Sequence, residues 1–291
     1  MEVNPLDHVY LNYSAFITLI AAIFTLLSGL FLLSIRKKSK ATLHLAIALI
    51  SISLTSFAFT FSFTTDHPAG AYHRWFTMTP VLVAMASLVQ FFFYFPDRSH
   101  ERVARWIYIL QMIVLLVDGV VWVHATFQFR KVFQLDAMMW DVEESRLAAV
   151  NAAIILIYIG MIILAGLWRT FITRGKDRLS VLFIVVSFTV VLVLPGIANA
   201  LARQGAMDKE LFIITYALIS VLGWFLTLIF YINFTVDKTS FMAKIVGLSL
   251  VTFLVMLMGM GYLTLKDQDK SFDLLHRRDA ARIVRDRSYR P

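Results

Sequence analysis

Long apolar runs separated by short polar segments fill most of the chain. Eight of them reach or approach the roughly 20 residues that a helix needs to cross a hydrocarbon core. They cover residues 14–34, 42–63, 77–95, 106–125, 147–168, 179–201, 211–234 and 245–265, the third being the shortest. Strands of a transmembrane barrel alternate apolar and polar side chains over short segments, and these unbroken runs do not. In lipid the helix is then what satisfies every backbone N–H and C=O. The pattern predicts an all-α, polytopic transmembrane helical bundle of about eight transmembrane helices.

Lys and Arg set the orientation, because loops rich in them stay in the cytoplasm. With the N-terminus outside, the cytoplasmic segments 36–40, 96–105, 169–178 and 235–244 hold thirteen basic residues. The outer loops hold six and are no shorter, so the N-terminus is expected outside. Trp75, Trp106, Trp122, Trp140 and Trp168 lie at or near run ends, where interfacial anchors belong. Residues 1–12 carry Glu2 and Asp7 and no basic residue, which does not fit a cleavable signal peptide. The first run is read as a retained helix. Residues 266–291 add eight basic residues and, after eight crossings, would lie outside. Long translocated segments escape the charge rule. The expected organisation is a transmembrane helical module over 1–265, then a basic helical tail over 266–291 that begins an extracytoplasmic segment of a longer protein. The longest outer loop, 126–146, mixes aromatics with acids and is expected to cap the outer face.

Composition agrees. The 291 residues are 59% hydrophobic and 16% charged, where soluble chains carry about a quarter charged residues; the partner implied is membrane lipid. There is no cysteine, so disulfides, thiolate nucleophiles and cysteine-based metal sites are excluded. The formal charge of +8 follows from topology better than from nucleic-acid binding, which is not expected. No phosphate loop, nucleotide fingerprint or zincin motif is present, so no catalytic residue is assigned and no enzymatic activity is expected. Gly259 and Gly261, inside an apolar run, suit close helix packing. Of the seven histidines, His44 and His124 fall within or at the edge of predicted helices, at opposite ends, which disfavours haem. Asp66, His67 and His73 read as ordinary loop polarity rather than a metal site. No cofactor is expected.

Polar groups inside the runs carry more weight, because burying them in lipid is costly without a partner. Asp118 stands in the fourth run, nearer its outer end. Gln90 and Gln111 sit at similar inner depths, as a candidate pair bridging the third and fourth helices. Asn151 and Asn199 lie near the outer ends of the fifth and sixth, and Pro195-Gly196 should bend the sixth beneath Asn199. His73, Arg74, Asp118, His124, Asn151 and Asn199 thus concentrate in the outer half. Two readings stay open: a ligand pocket facing outward, or separate inter-helix hydrogen bonds worth about 1 kcal/mol each.

Several short segments carry a resemblance: Tyr72-His73-Arg74-Trp75, Phe93-Tyr94-Phe95-Pro96, Trp168-Arg169-Thr170-Phe171-Ile172-Thr173, and the run from Asp237 to Gly247. The chain resembles the N-terminal multi-helix membrane module of bacterial signalling proteins, which overlaps the seven-helix region of sensor histidine kinases. In that group the module precedes a SpoIIE-type phosphatase, an adenylate/guanylate cyclase or a kinase. The resemblance implies a dimeric sensory input module in the bacterial cytoplasmic membrane that responds to a small ligand or membrane signal. The relay would run to an output domain that this chain does not carry. The alternatives are a small transporter or channel, and a membrane-embedded enzyme using Asp118 and His124. Six residues apart, those two occupy different faces of one helix.

Overall fold

The computed structural model describes residues 12–134, 139–143, 146–234 and, further on, 256, 257, 259–261, 263 and 264. The described part is all-α apart from one hairpin. Its elements are α1 (Tyr13–Ser34), α2 (Lys40–Thr64), a 3₁₀ turn (Pro68–Tyr72), α3 (His73–Tyr94), α4 (Glu101–Gln128), β1 (Lys131–Gln134), β2 (Met139–Val142), α5 (Arg146–Ile172), α6 (Gly175–Arg203) and α7 (Lys209–Phe234). Seven of the described helices are long and apolar enough to cross a membrane, as expected of a multi-pass protein. The eighth run, 245–265, lies largely outside the described residues, and the tail 266–291 lies wholly outside them.

The helices outrun the apolar stretches that predict them. α4 begins at Glu101 rather than near 106, and α6 at Gly175 rather than near 179. Hydropathy marks only the apolar middle of a helix, whereas polar residues at its ends continue the same backbone ladder. Local chemistry sets some starts. Asn12 Oδ1 accepts from Ala15 N–H at 2.8 Å and caps α1, while its Nδ2 donates to Phe63 O at 3.1 Å, tying that end to α2. Ser39 Oγ accepts from Thr42 N–H and caps α2.

α1 packs on α2, α2 on α3, α3 on α5, α5 on α6 and α6 on α7, and α7 returns to α1. α4 lies outside this ring against α3. Only 17% of its most apolar stretch is buried, against 67% for α2 and for α3. Small residues permit the closest approaches, since helices in lipid associate through packing and hydrogen bonds. A Cβ on Gly29 would lie 2.6 Å from Ile50 Cγ1 of α2, and one on Gly166 2.5 Å from Val185 Cγ2 of α6. Ser53 Oγ of α2 donates to Ala22 O of α1 at 2.8 Å. Of the two glycines read as packing residues in the last run, a Cβ on Gly261 would run into the Phe16 ring of α1, and one on Gly259 would meet no described residue within 4 Å.

The loop after α4 forms the expected cap as a β-hairpin, Lys131 pairing with Val142 and Gln134 with Met139. Phe133 and Trp140 meet edge-to-face across it at 5.4 Å. Ser62 Oγ at the end of α2 donates to Trp140 O. At the opposite end of the bundle, two segments of the resemblance meet. Arg169 of α5 donates through Nε to Phe95 O at 2.9 Å and through Nη2 to the Asp97 carboxylate.

Candidate functional site

A cavity of about 390 Å³ lies inside the ring at the hairpin end. Its wall comes from α2, α3, α5, α6 and α7, with Trp122 from α4 and the hairpin above. Most of the lining is apolar, as in small-molecule pockets, which fall in the range of about 300–1,000 Å³.

Arg74 and Asp141 fasten the roof. The first turn of α3 brings Arg74 under β2, where Nε donates to Asp141 Oδ1 at 2.6 Å and Nη2 to Oδ2. Asp141 is 3% exposed and also accepts from its neighbour Val142 N–H. Burial pushes its carboxyl up, but the Arg74 guanidinium outweighs this, and the net effect holds it below its usual value of 3.8. A planar guanidinium facing a carboxylate with two parallel donors is among the strongest neutralising contacts available. The two charges on the inner wall therefore cancel.

The polar residues expected to cluster behave differently from one another. Arg74, Asn151 and Asn199 line the cavity, as do Pro195 and Gly196, and α6 continues unbroken through the proline. Asp118 stands behind the wall, where its Oδ2 accepts from Asn151 Nδ2 at 2.9 Å. This bond joins α4 to α5 and fixes the orientation of a cavity residue. His73 is buried and turns away, its Nδ1 bonding Gly70 O at 2.8 Å in the turn before α3. His124 does not join the cluster. It is exposed on α4 and meets Gln128 one turn on, because the six-residue step from Asp118 carries it off the buried face.

Gln90 and Gln111 do not form the expected pair. Both are buried, yet neither amide atom of Gln111 has a hydrogen-bond partner among the described residues. Tyr158 of α5 instead donates to the backbone O of Gln111 at 3.0 Å. Trp122 is no interfacial anchor. It is 1% exposed and forms cavity wall, one turn from Asp118 on the same face of α4.

Other wall hydroxyls already have protein partners. Tyr216 OH meets Ser56 Oγ at 3.0 Å, Thr55 donates to Ser51 O and Thr77 to Arg74 O. Sequence reading missed Asp141, Tyr216 and Trp224. Asp141 is one acid among several in a polar loop, and only its pairing with Arg74 across the fold distinguishes it.

Below the cavity the core is aromatic. Trp224 lines the cavity floor and packs on Phe188 at 5.7 Å. Phe188 packs on Phe91 at 5.5 Å and Phe91 on Tyr231 at 5.5 Å. Tyr231 OH then meets Thr42 Oγ1 at 2.7 Å near the start of α2. Contiguous contacts thus run from the cavity to the opposite end.

No protein-family model matches the chain, and no curated protein matches it.

Proposed function

We propose that this protein is a receptor-like sensory input module of a bacterial signal-transduction protein, embedded in the cytoplasmic membrane with its N-terminus and hairpin end outside. A small ligand occupies the cavity, and its binding changes helix packing toward the cytoplasmic end, which passes the change to an output domain or partner. The module acts as a homodimer. The observation that carries this reading is the roofed cavity among five helices of the ring. The basic loop bias supports the orientation, since the segments at the Arg169 end hold more of the Lys and Arg. The aromatic contacts from Trp224 to Tyr231 supply a physical route, though a route becomes a relay only if the ligand binds two packings with different affinity.

The test reads the far end. The chain has no native cysteine, so spin labels can be placed through Lys37→Cys and Arg174→Cys alone. Both positions are exposed. A sensor shifts the distance between the labels when an apolar alcohol is loaded into the bilayer, and the cavity-filling Ala84→Phe abolishes the response. An unchanged distance, together with solute flux through liposomes, would sink the sensor reading in favour of a transporter.

A further inference from the structure

The cavity has a side wall that is thin in one place. Besides Glu143 at the roof, four of its lining residues are also exposed, Ala152 and Leu156 of α5 and Gly196 and Ala200 of α6. Leu156 is 65% exposed. Each pair is four residues apart, so each forms one stripe on its helix. The two helices are antiparallel neighbours in close contact where Gly166 meets Val185. Stepping residue by residue from that contact along both helices brings Ala152 level with Asn199 and Leu156 level with Pro195. The stripes therefore face each other across one seam. The helices pack tightly at the Arg169 end and leave the seam near the hairpin lined by the small residues Ala152, Gly196 and Ala200 beside Leu156. A Cβ on Gly196 would meet no described residue within 4 Å.

All four residues fall within the apolar spans 149–172 and 175–202. An opening there faces acyl chains and not water. The chemistry of the wall agrees with that direction of entry. Arg74 and Asp141 cancel one another, and Glu143 at the roof leaves any net charge negative. Tyr216, Thr55 and Thr77 already have protein partners. An anionic or strongly hydrated ligand would lose its water and gain no free counter-charge.

We infer that the seam between α5 and α6 is a lateral entrance through which an uncharged, largely apolar molecule dissolved in the bilayer reaches the cavity. This rests on reading the cavity as a ligand site and names the class of ligand and its route. The hairpin then serves as a lid on the water side, with the Arg74–Asp141 pair as its latch.

The experiment uses the full chain in phosphatidylcholine vesicles with Trp224 as the only tryptophan of the original six, the others being replaced by phenylalanine. The probes are 12-bromododecan-1-ol and 12-bromododecanoate, whose bromine quenches a nearby indole. The neutral probe is expected to quench Trp224 saturably. Gly196→Phe, or Ala152→Phe if the first variant melts early, should slow that quenching about tenfold or more. Filling the cavity with Ala84→Phe or Thr77→Phe should remove it, and the carboxylate should quench weakly. If the carboxylate quenches as well as the alcohol, or if the seam variants leave the rate unchanged while the filled cavities abolish quenching, the lateral entrance for neutral ligands is wrong and the cavity reading survives. If quenching is the same in wild type and in both filled variants, the cavity reading fails and the inference with it.

Discussion

Arg74 and Asp141 are 67 positions apart, and their contact holds the roof onto the bundle. Breaking a buried ion pair from one side leaves an uncompensated charge, at a cost of about 3–5 kcal/mol. Arg74→Ala is therefore expected to lower the melting temperature sharply, and Arg74→Leu combined with Asp141→Leu should recover much of the loss. If the single and double variants melted together, the pair would not be what fastens the hairpin. The same pair fixes a pH dependence. Asp141 titrates below its usual 3.8 when folded, so the stability it contributes is fully present above that value and is lost as pH falls through the depressed one. The stability gap between wild type and Asp141→Asn should close as pH drops below about 4, as measured by melting curves across pH. Sequence reading singled out Asp118, Asn151 and Asn199 because ionisable and amide groups in apolar runs are conspicuous, and Arg74 because it stands just before the third run at the same outer level. It misplaced His124 and Trp122 because a helical run does not state which of its faces turns inward. It paired Gln90 with Gln111 because equal depth is not contact.

The elements were largely legible, since long apolar runs in lipid have the helix as their solution. Their ends were not, because capping by Asn12 or Ser39 and polar last turns leave little hydropathy signal. The hairpin was legible only as a cap; its strands are four residues each, too short for a periodic pattern to emerge from a polar loop. Gly166 carries an element-scale prediction. A side chain there would push against Val185 and Phe92, so Gly166→Leu should separate α5 from α6 and α3 and cost about 1–3 kcal/mol. The same change at Gly160, where a Cβ meets no described residue within 4 Å, should be nearly neutral. Equal destabilisation by the two, in chemical denaturation of the reconstituted protein, would show that close packing at Gly166 does not hold the seam's tight end.

At the scale of the whole molecule, the ring places a cavity under the hairpin and an aromatic block beneath it. The Arg169 contacts close the far end. The relay this suggests predicts that Phe188→Ala, which removes the ring between Trp224 and Phe91, leaves quenching of Trp224 by the bromoalcohol within about threefold of wild type. The spin-label distance shift should disappear. Loss of both would make Phe188 a cavity support and not a coupling residue.

In the proposed topology the bundle crosses the membrane with the hairpin end outside and the Arg169 end in the cytoplasm. Single cysteines through Glu143→Cys at the cavity roof and Lys37→Cys between α1 and α2 test it against a background with no native thiol. Intact cells are treated with a membrane-impermeant maleimide. The proposed topology requires labelling at 143 in intact cells and at 37 only after permeabilisation. Labelling at 37 in intact cells with protection at 143 would invert the molecule and turn the roof toward the cytoplasm, contradicting an external sensor. Labelling of both in intact cells would contradict a bundle that crosses the bilayer between them.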